Sequence, residues 1–433
     1  MRNGTIKPAL PPASRPAGRT GRTRLCPASA AAPVDHYSFS AILESLMTRV
    51  IAFLLLLAVA APAAVPELTV AYRRNDHAVP LYAACLYPKD FRTRYGLYLK
   101  ETKPRGTYDL FDLPARDRTQ TGGPRRTLSL RLASFDSDSA VLAALLSGRT
   151  QVGILASEEI LTAVLAGKPV RILAPLQRRG DMLVTNRSVP TADWKEFITW
   201  VKTQDRPVAI GYIGRYSMTV LGFAQALEYE NVKYVGTVPE GGLSPKPKTV
   251  GLRLVRVSDW DTLAVELELG RLDAAVLQEP AATLVSAVDG NRTIGRIDIL
   301  PPGRFEDRPG TIIAATDSVI RTQGEAVGRF LELMAVATHY ANNRTRNTLA
   351  AADKWLDASP ALESISLGNV AFSSRPDFTF TDGIWNWYFA LRLKNAVPES
   401  MAGYMEEKDW LGIPYDSLLL MPALDRAGAR IIR

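Results

Sequence analysis

Cysteine and histidine are nearly absent from this chain of 433 residues, which holds two of the first and three of the second. Cys26 lies in an N-terminal stretch expected to be lost on export, so Cys85 stands alone in the remainder and an intramolecular disulfide is excluded there. It falls in a helical pattern and is expected to be buried or half-buried. His77 and His339 sit in no Cys/His/Asp spacing that reads as a metal site. The ordinary reading makes the first a solvated loop side chain and the second a helix-face residue. A Gly-x-Ser-x-Gly elbow, a P-loop, a dinucleotide glycine fingerprint and a zinc His pair are missing too. Carboxylates are plentiful, but no pair is set apart. The chain is therefore read as a non-enzyme without cofactor or metal.

Long hydrophobic runs are equally scarce. The run from Val50 to Ala64 is too short, and too rich in small residues at its end, for a spanning helix. Met47-Thr48-Arg49 before it and Ala61-Pro62-Ala63 at its end give the charged start and A-x-A cleavage site of a secretory signal. Residues 47–64 are expected to be that signal peptide, and residues 1–46 a disordered extension ahead of the true start. The expected destination is the periplasm, and no cysteine marks the cleavage site for a lipid anchor. Residues 1–64 hold seven of the 52 basic and two of the 44 acidic side chains, so the net charge falls from +8 to +3 without them. A nucleic-acid partner loses its support.

What remains is ordinary globular sequence, 47% apolar and long enough for two lobes. Strands at Leu68–Tyr72, Leu97–Glu101, Leu128–Leu132 and Val170–Ala174 alternate with helical stretches, Pro88 being expected to kink or split the first of these. Lys103 to Arg126 reads as an exposed polar loop. A second series of strands and helices begins at Asp181, and the chain from Val319 onward reads as mainly helical.

One unit occurs twice. Leu146-Ser147-Gly148-Arg149 leads into an apolar run ending at Ser157, and Leu269-Gly270-Arg271 leads into one ending at Gln278-Glu279-Pro280. Each reads as a helix end, a left-handed glycine turn and a strand covered on both faces. In open α/β sheets ligands sit at the loop beyond such a strand, so each copy is expected to form one wall of a cleft. Asp273 is expected to fix its turn or a salt bridge. Asp138 or Ser139 is placed to cap one helix, and Ser217 stands at the start of another, where free N–H groups favour an anion. Arg73, Arg74 and Arg215 could supply charge to a ligand, while Tyr212, Tyr216 and Trp260 could stack on a flat one.

Four segments carry a family resemblance: Asp90 to Leu97 (DFRTRYGL), Ala144 to Ile154 (ALLSGRTQVGI), Gly167 to Leu173 (GKPVRIL) and Leu269 to Pro280 (LGRLDAAVLQEP). In order and spacing they resemble the solute-binding proteins of ABC importers in the nitrate, sulfonate, taurine and thiamine-precursor group. The resemblance implies an α/β, bilobal periplasmic-binding-protein type II fold, two mixed sheets with flanking helices joined by two crossover strands. On this chain that gives a first lobe over 65–178, a second over 179–318, and a helical part over 319–433 returning to the first. It also implies a monomer that captures a small anionic or heteroaromatic molecule and passes it to permease and ATPase subunits. Cleft positions implied by the resemblance are Asn75 to His77, Asp138, Ser139, Ser157, Tyr216, Ser217, Trp260 and Glu279, with Arg215 beside them. The rival reading is a pyrimidine-precursor synthase-like enzyme on the same fold, whose cysteine-rich, iron-using site finds only Cys85 here.

Overall fold

The computed structural model describes residue 47 and residues 64–104, 106–113, 123–214, 216–236, 251–288, 290–357 and 359–432. The expected extension over 1–46, nearly all of the expected signal segment 47–64, and Arg215 lie outside the described residues. All elements below belong to the unit Val65–Arg433.

Strand β1 (Glu67–Arg73) buries Leu68, Val70 and Ala71 and runs through a short turn into α1 (Val79–Leu86) and α2 (Pro88–Tyr95). The break at Pro88 is as expected: the ring has no N–H to give the preceding turn, so one helix stops and proline opens the next. Cys85 is buried in α1, where burial raises its thiol.

The stretch from Lys103 to Arg126 corrects the loop expectation. Strands β2 (Leu97–Lys103), β3 (Thr107–Asp112) and β4 (Arg125–Phe135) form an antiparallel ladder. Asp109 in mid-strand made β3 look like loop. Its carboxylate is paired with Arg126 at 2.8 Å and accepts from Ser129 at 3.1 Å, while Tyr108 and Leu110 are buried. Residues 114–122 of the stretch lie outside the described ones.

The first lobe continues with α3 (Asp138–Leu146), β5 (Val152–Ala156), α4 (Ser157–Leu165) and β6 (Val170–Arg179). Beyond Gly180 come β7 (Asp181–Thr185), α5 (Trp194–Thr203), β8 (Val208–Tyr212), α6 (Met218–Tyr229), β9 (Tyr234–Val235) and β10 (Leu252–Arg256). The elements of the second sheet end with α7 (Trp260–Glu268), β11 (Ala274–Gln278), α8 (Ala281–Ser286) and β12 (Arg292–Arg296). The chain returns through β13 (Pro309–Thr316), α9 (Asp317–Asn343), α10 (Thr345–Leu356), α11 (Pro360–Asn369) and β14 (Val370–Phe372). It finishes with α12 (Phe378–Leu393), α13 (Glu407–Leu411) and α14 (Leu420–Ile431).

Two mixed sheets result, ordered β14-β6-β13-β5-β1-β4-β3-β2 and β12-β7-β11-β8-β10-β9. The repeated glycine units occupy matching places in them. β5 lies between parallel β1 and antiparallel β13, and β11 between parallel β8 and antiparallel β7. Gly148 and Gly270 have φ of 73° and 70°, with open space where a Cβ would stand, so only the backbone conformation demands glycine there. Gly270→Ala is expected to cost about 1–2 kcal/mol, read as a lower urea midpoint; an unchanged midpoint would show the turn tolerates a side chain. Asp273 beside it accepts from Arg206 at 2.6 and 2.7 Å and from the Ala209 amide at 2.8 Å, so it ties the turn to β8.

The C-terminal helices do more than return to the first lobe. α14 packs on α9, where buried Glu332 accepts from Arg426 and Arg430 at 2.7 Å each. α12 instead touches both lobes. Arg178 of β6 donates to Asp377 at its start, Trp387 donates to the Tyr216 carbonyl at 2.7 Å, and Lys394 just past its end reaches Glu228 of α6 at 3.0 Å. One hydrophobic cluster accordingly runs from Leu155 and Ile312 of the first sheet to Phe223, Val276 and Trp387.

Candidate functional site

The loops at the carboxyl ends of β1, β4 and β5 face those of β8, β10 and β11 across a cleft between the sheets. The cleft comprises two contiguous cavities of 270 and 560 Å³, which share Arg73, Asp136, Asp259, Trp260 and Gln278. The smaller lies between the start of α3 and the start of α6. The larger extends past Asn75 and Glu279 to the Leu356, Leu362 and Glu363 side chains of α10 and α11.

Helix starts build the smaller cavity. Ser137, and neither Asp138 nor Ser139, caps α3 by accepting from the Ala140 amide at 3.2 Å. This corrects the expected cap. Asp138 instead ties the loop together: one oxygen accepts from the Ala156 amide at 3.1 Å, the other meets Arg73 at 3.1 Å. Ser139 is exposed on the cavity wall. Opposite, Ser217 caps α6 by accepting from the Val220 amide at 3.3 Å and lines the facing side of the same cavity. Trp260 opens α7 behind its cap Asp259 and borders both cavities.

Three of the expected cleft residues are placed differently, and a fourth, Glu279, keeps its place on the cleft but is nearly buried. Ser157 is fully buried and donates to the Pro309 carbonyl at 2.6 Å, so it joins α4 to β13 and faces no cleft. His77 is 6% exposed, with Nδ1 2.9 Å from the Thr311 hydroxyl, which corrects the solvated-loop reading. Tyr216 is half-buried against the core, its carbonyl engaged by Trp387. Glu279 is 2% exposed at the rim of the larger cavity and held by Thr283 and Asn369, the latter at 2.6 Å. It stands across the cleft from the loops that present Asn75 and Asp138.

Carboxylates dominate the electrostatics. Among the described lining residues, eight are acidic and two, Arg73 and Arg74, basic. Both arginines are engaged, Arg73 by Asp138 and Arg74 by the Trp355 carbonyl at 2.8 Å. Burial pushes Glu158 up to about 7 although Arg308 opposes it. Burial, reinforced by Asp76, Asp353 and Glu279, pushes Glu363 up to about 7 as well. Glu279 is raised by burial against its hydrogen bonds from Asn369 and Thr283.

Sequence reasoning missed Glu363 altogether. It sits on α11, a helix announced only by the Ser359-Pro360 step, and its neighbours in space come from residues 76, 279 and 353. Gln278 and Asp259, shared by both cavities, are two more lining residues that the sequence does not mark as ligand positions. Among the described residues no group of three or more His, Cys, Asp or Glu side chains is arranged to hold a metal ion.

Comparison with known proteins agrees with this architecture. The ligand-binding component of an ABC-type import system from Staphylococcus aureus superposes with a TM-score of 0.57 at 11% identity, covering 83% of this chain and 99% of that one. The periplasmic nitrate-binding protein NrtA of Synechocystis PCC 6803 gives a TM-score of 0.57 at 12% identity, covering 85% and 91%. The alkanesulfonate-binding protein SsuA of Xanthomonas axonopodis pv. citri, solved with MOPS, gives 0.51 at 11%, covering 78% and 96%. At these identities the likeness is one of fold, and the fold is the periplasmic-binding-protein fold expected from the sequence. The model of the NMT1-like family matches residues 61–356, and the chain belongs to that family.

Proposed function

We propose that this protein is the periplasmic solute-binding component of an ABC importer, which captures a small molecule between its lobes and delivers it to permease and ATPase subunits. The observation that carries this reading is the continuous cleft formed by strand-end loops of both sheets, with Trp260 bordering both of its cavities. No covalent step is required. Binding that favours the closed arrangement of the lobes would shift the population toward it. The ligand classes considered are small anions and small heteroaromatics. The acidic lining and the paired state of both described arginines favour the flat heteroaromatic, which Trp260 can stack on.

The test is thermal shift against nitrate, taurine, alkanesulfonates and thiamine pyrimidines, since a ligand that binds only the folded state raises its stability by mass action. One member is expected to raise Tm, and Trp260→Ala is expected to weaken its binding at least tenfold, a loss of about 1.4 kcal/mol. A Tm that no small molecule moves, or recovery of the protein in the cytoplasm after fractionation, would sink the reading.

A further inference from the structure

The larger cavity holds a buried carboxyl group that no partner satisfies. Glu363 is 4% exposed, lines the cavity, and its Oε2 accepts no hydrogen bond. Nearby carboxylates deepen the deficit. Asp76, fully buried, accepts from Ser366 through one oxygen while the other has no hydrogen-bond partner, and Glu279 approaches from the opposite lobe. An ionised carboxylate in such a place costs free energy unless a cation or donors reach it. The basic group on the cavity wall nearest in sequence, Arg74, is committed to the Trp355 carbonyl. Besides its polar side chains, the same wall carries an apolar and aromatic part made by Trp260, Leu284, Leu356 and Leu362.

We infer that the cleft takes an organic cation, an ammonium or amidinium group on a flat or apolar body, with the charged nitrogen set against Glu363 and the body against Trp260 and the leucines. This rests on the solute-binding reading and narrows it. A donor nitrogen supplies what Glu363 lacks, and a compact cavity of 560 Å³ accommodates a ring-sized body. Ionisation of Glu363 sets the pH dependence. The charged groups acting on it are Asp76 of the turn after β1, itself 3.6 Å from His77, Asp353 of α10 and Glu279 beyond β11, with Arg74 on the same cavity wall. With its carboxyl pushed up to about 7, Glu363 is largely protonated at pH 5.5 and ionised at pH 8.5. A cation therefore binds more tightly as pH rises through that range and expels a proton at neutral pH.

The experiment uses benzamidine against its uncharged and anionic isosteres, benzamide and benzoate, with titration calorimetry on the full exported chain. Benzamidine is expected to bind at least tenfold more tightly than either isostere, to gain affinity between pH 5.5 and 8.5, and to release protons at pH 7. Glu363→Gln is expected to remove the pH dependence and at least tenfold of the affinity. Should that variant fail to fold, proton release by the native protein decides alone. Benzoate or an alkanesulfonate binding more tightly than benzamidine, with Trp260→Ala abolishing it, would overturn the cation inference and leave the solute-binding reading standing. Failure of all these probes and of the wider panel would overturn both.

Discussion

Replacing Arg308 by leucine is expected to lower the unfolding free energy by about 3–5 kcal/mol, the cost of stranding one member of a buried ion pair. Arg308 and Asp181 are each 1% exposed and in direct contact. They sit where the chain crosses between lobes, Asp181 opening β7 and Arg308 preceding β13. Thr219 of α6 completes the knot, donating to Asp181 at 2.8 Å and accepting from Arg308 at 3.0 Å. Burial already raises the Asp181 carboxyl, with Arg308 the main opposing influence. Without the arginine that carboxyl rises further, and stability is lost as pH climbs through its new folded value. The deficit of Arg308→Leu should thus be smaller at pH 5 than at pH 8. Urea midpoints at both pH values check this, and Asp181→Leu in the same chain should recover most of the loss. An equal deficit at both pH values would show that packing, and not the stranded charge, sets the cost.

Trp387→Ala should be of similar size, about 3–5 kcal/mol, because it empties a fully buried indole site. Trp387 lies on α12, and its Nε1 holds the Tyr216 carbonyl in the loop that precedes the Ser217 cap. The hydrogen bond and the packing can be separated. Trp387→Phe keeps most of the apolar contact and removes the donor, so it is expected to cost about 1–3 kcal/mol for the buried carbonyl left unpaired. If the 212–217 loop positions ligand, the phenylalanine variant should also weaken binding while remaining folded. Calorimetric unfolding and ligand titration on the same samples distinguish the two effects.

Much of the scaffold was legible beforehand because its signals are local. Pro88 divides α1 from α2 through one missing N–H, and Gly148 and Gly270 end helices because their φ values of 73° and 70° disfavour any side chain. The apolar runs at 152–156 and 274–278 are buried strands in both sheets. β3 was illegible for the opposite reason. Asp109 looks like loop until Arg126 and Ser129, 17 and 20 residues away, neutralise it in the folded sheet.

The candidate site divides in the same way. Ser217 and Trp260 stand on the cleft wall because helix starts point there, a consequence of strand order that the βα alternation already implies. Ser157 has the same local signature, yet the return of β13 covers it and takes its hydroxyl for Pro309. His77 is likewise claimed by Thr311, 234 residues on.

Sequence alone determined the alternation of strands and helices and the two glycine turns, since periodicity and backbone sterics act over a few residues, and four short segments carried the resemblance to the family. Tertiary structure alone decided which side chains the cleft exposes, why α12 spans both lobes, and that Glu363 shares a cavity wall with Glu279 and feels the charge of buried Asp76. Burial and charge pairing depend on partners hundreds of residues apart, and no local pattern encodes which of them will meet.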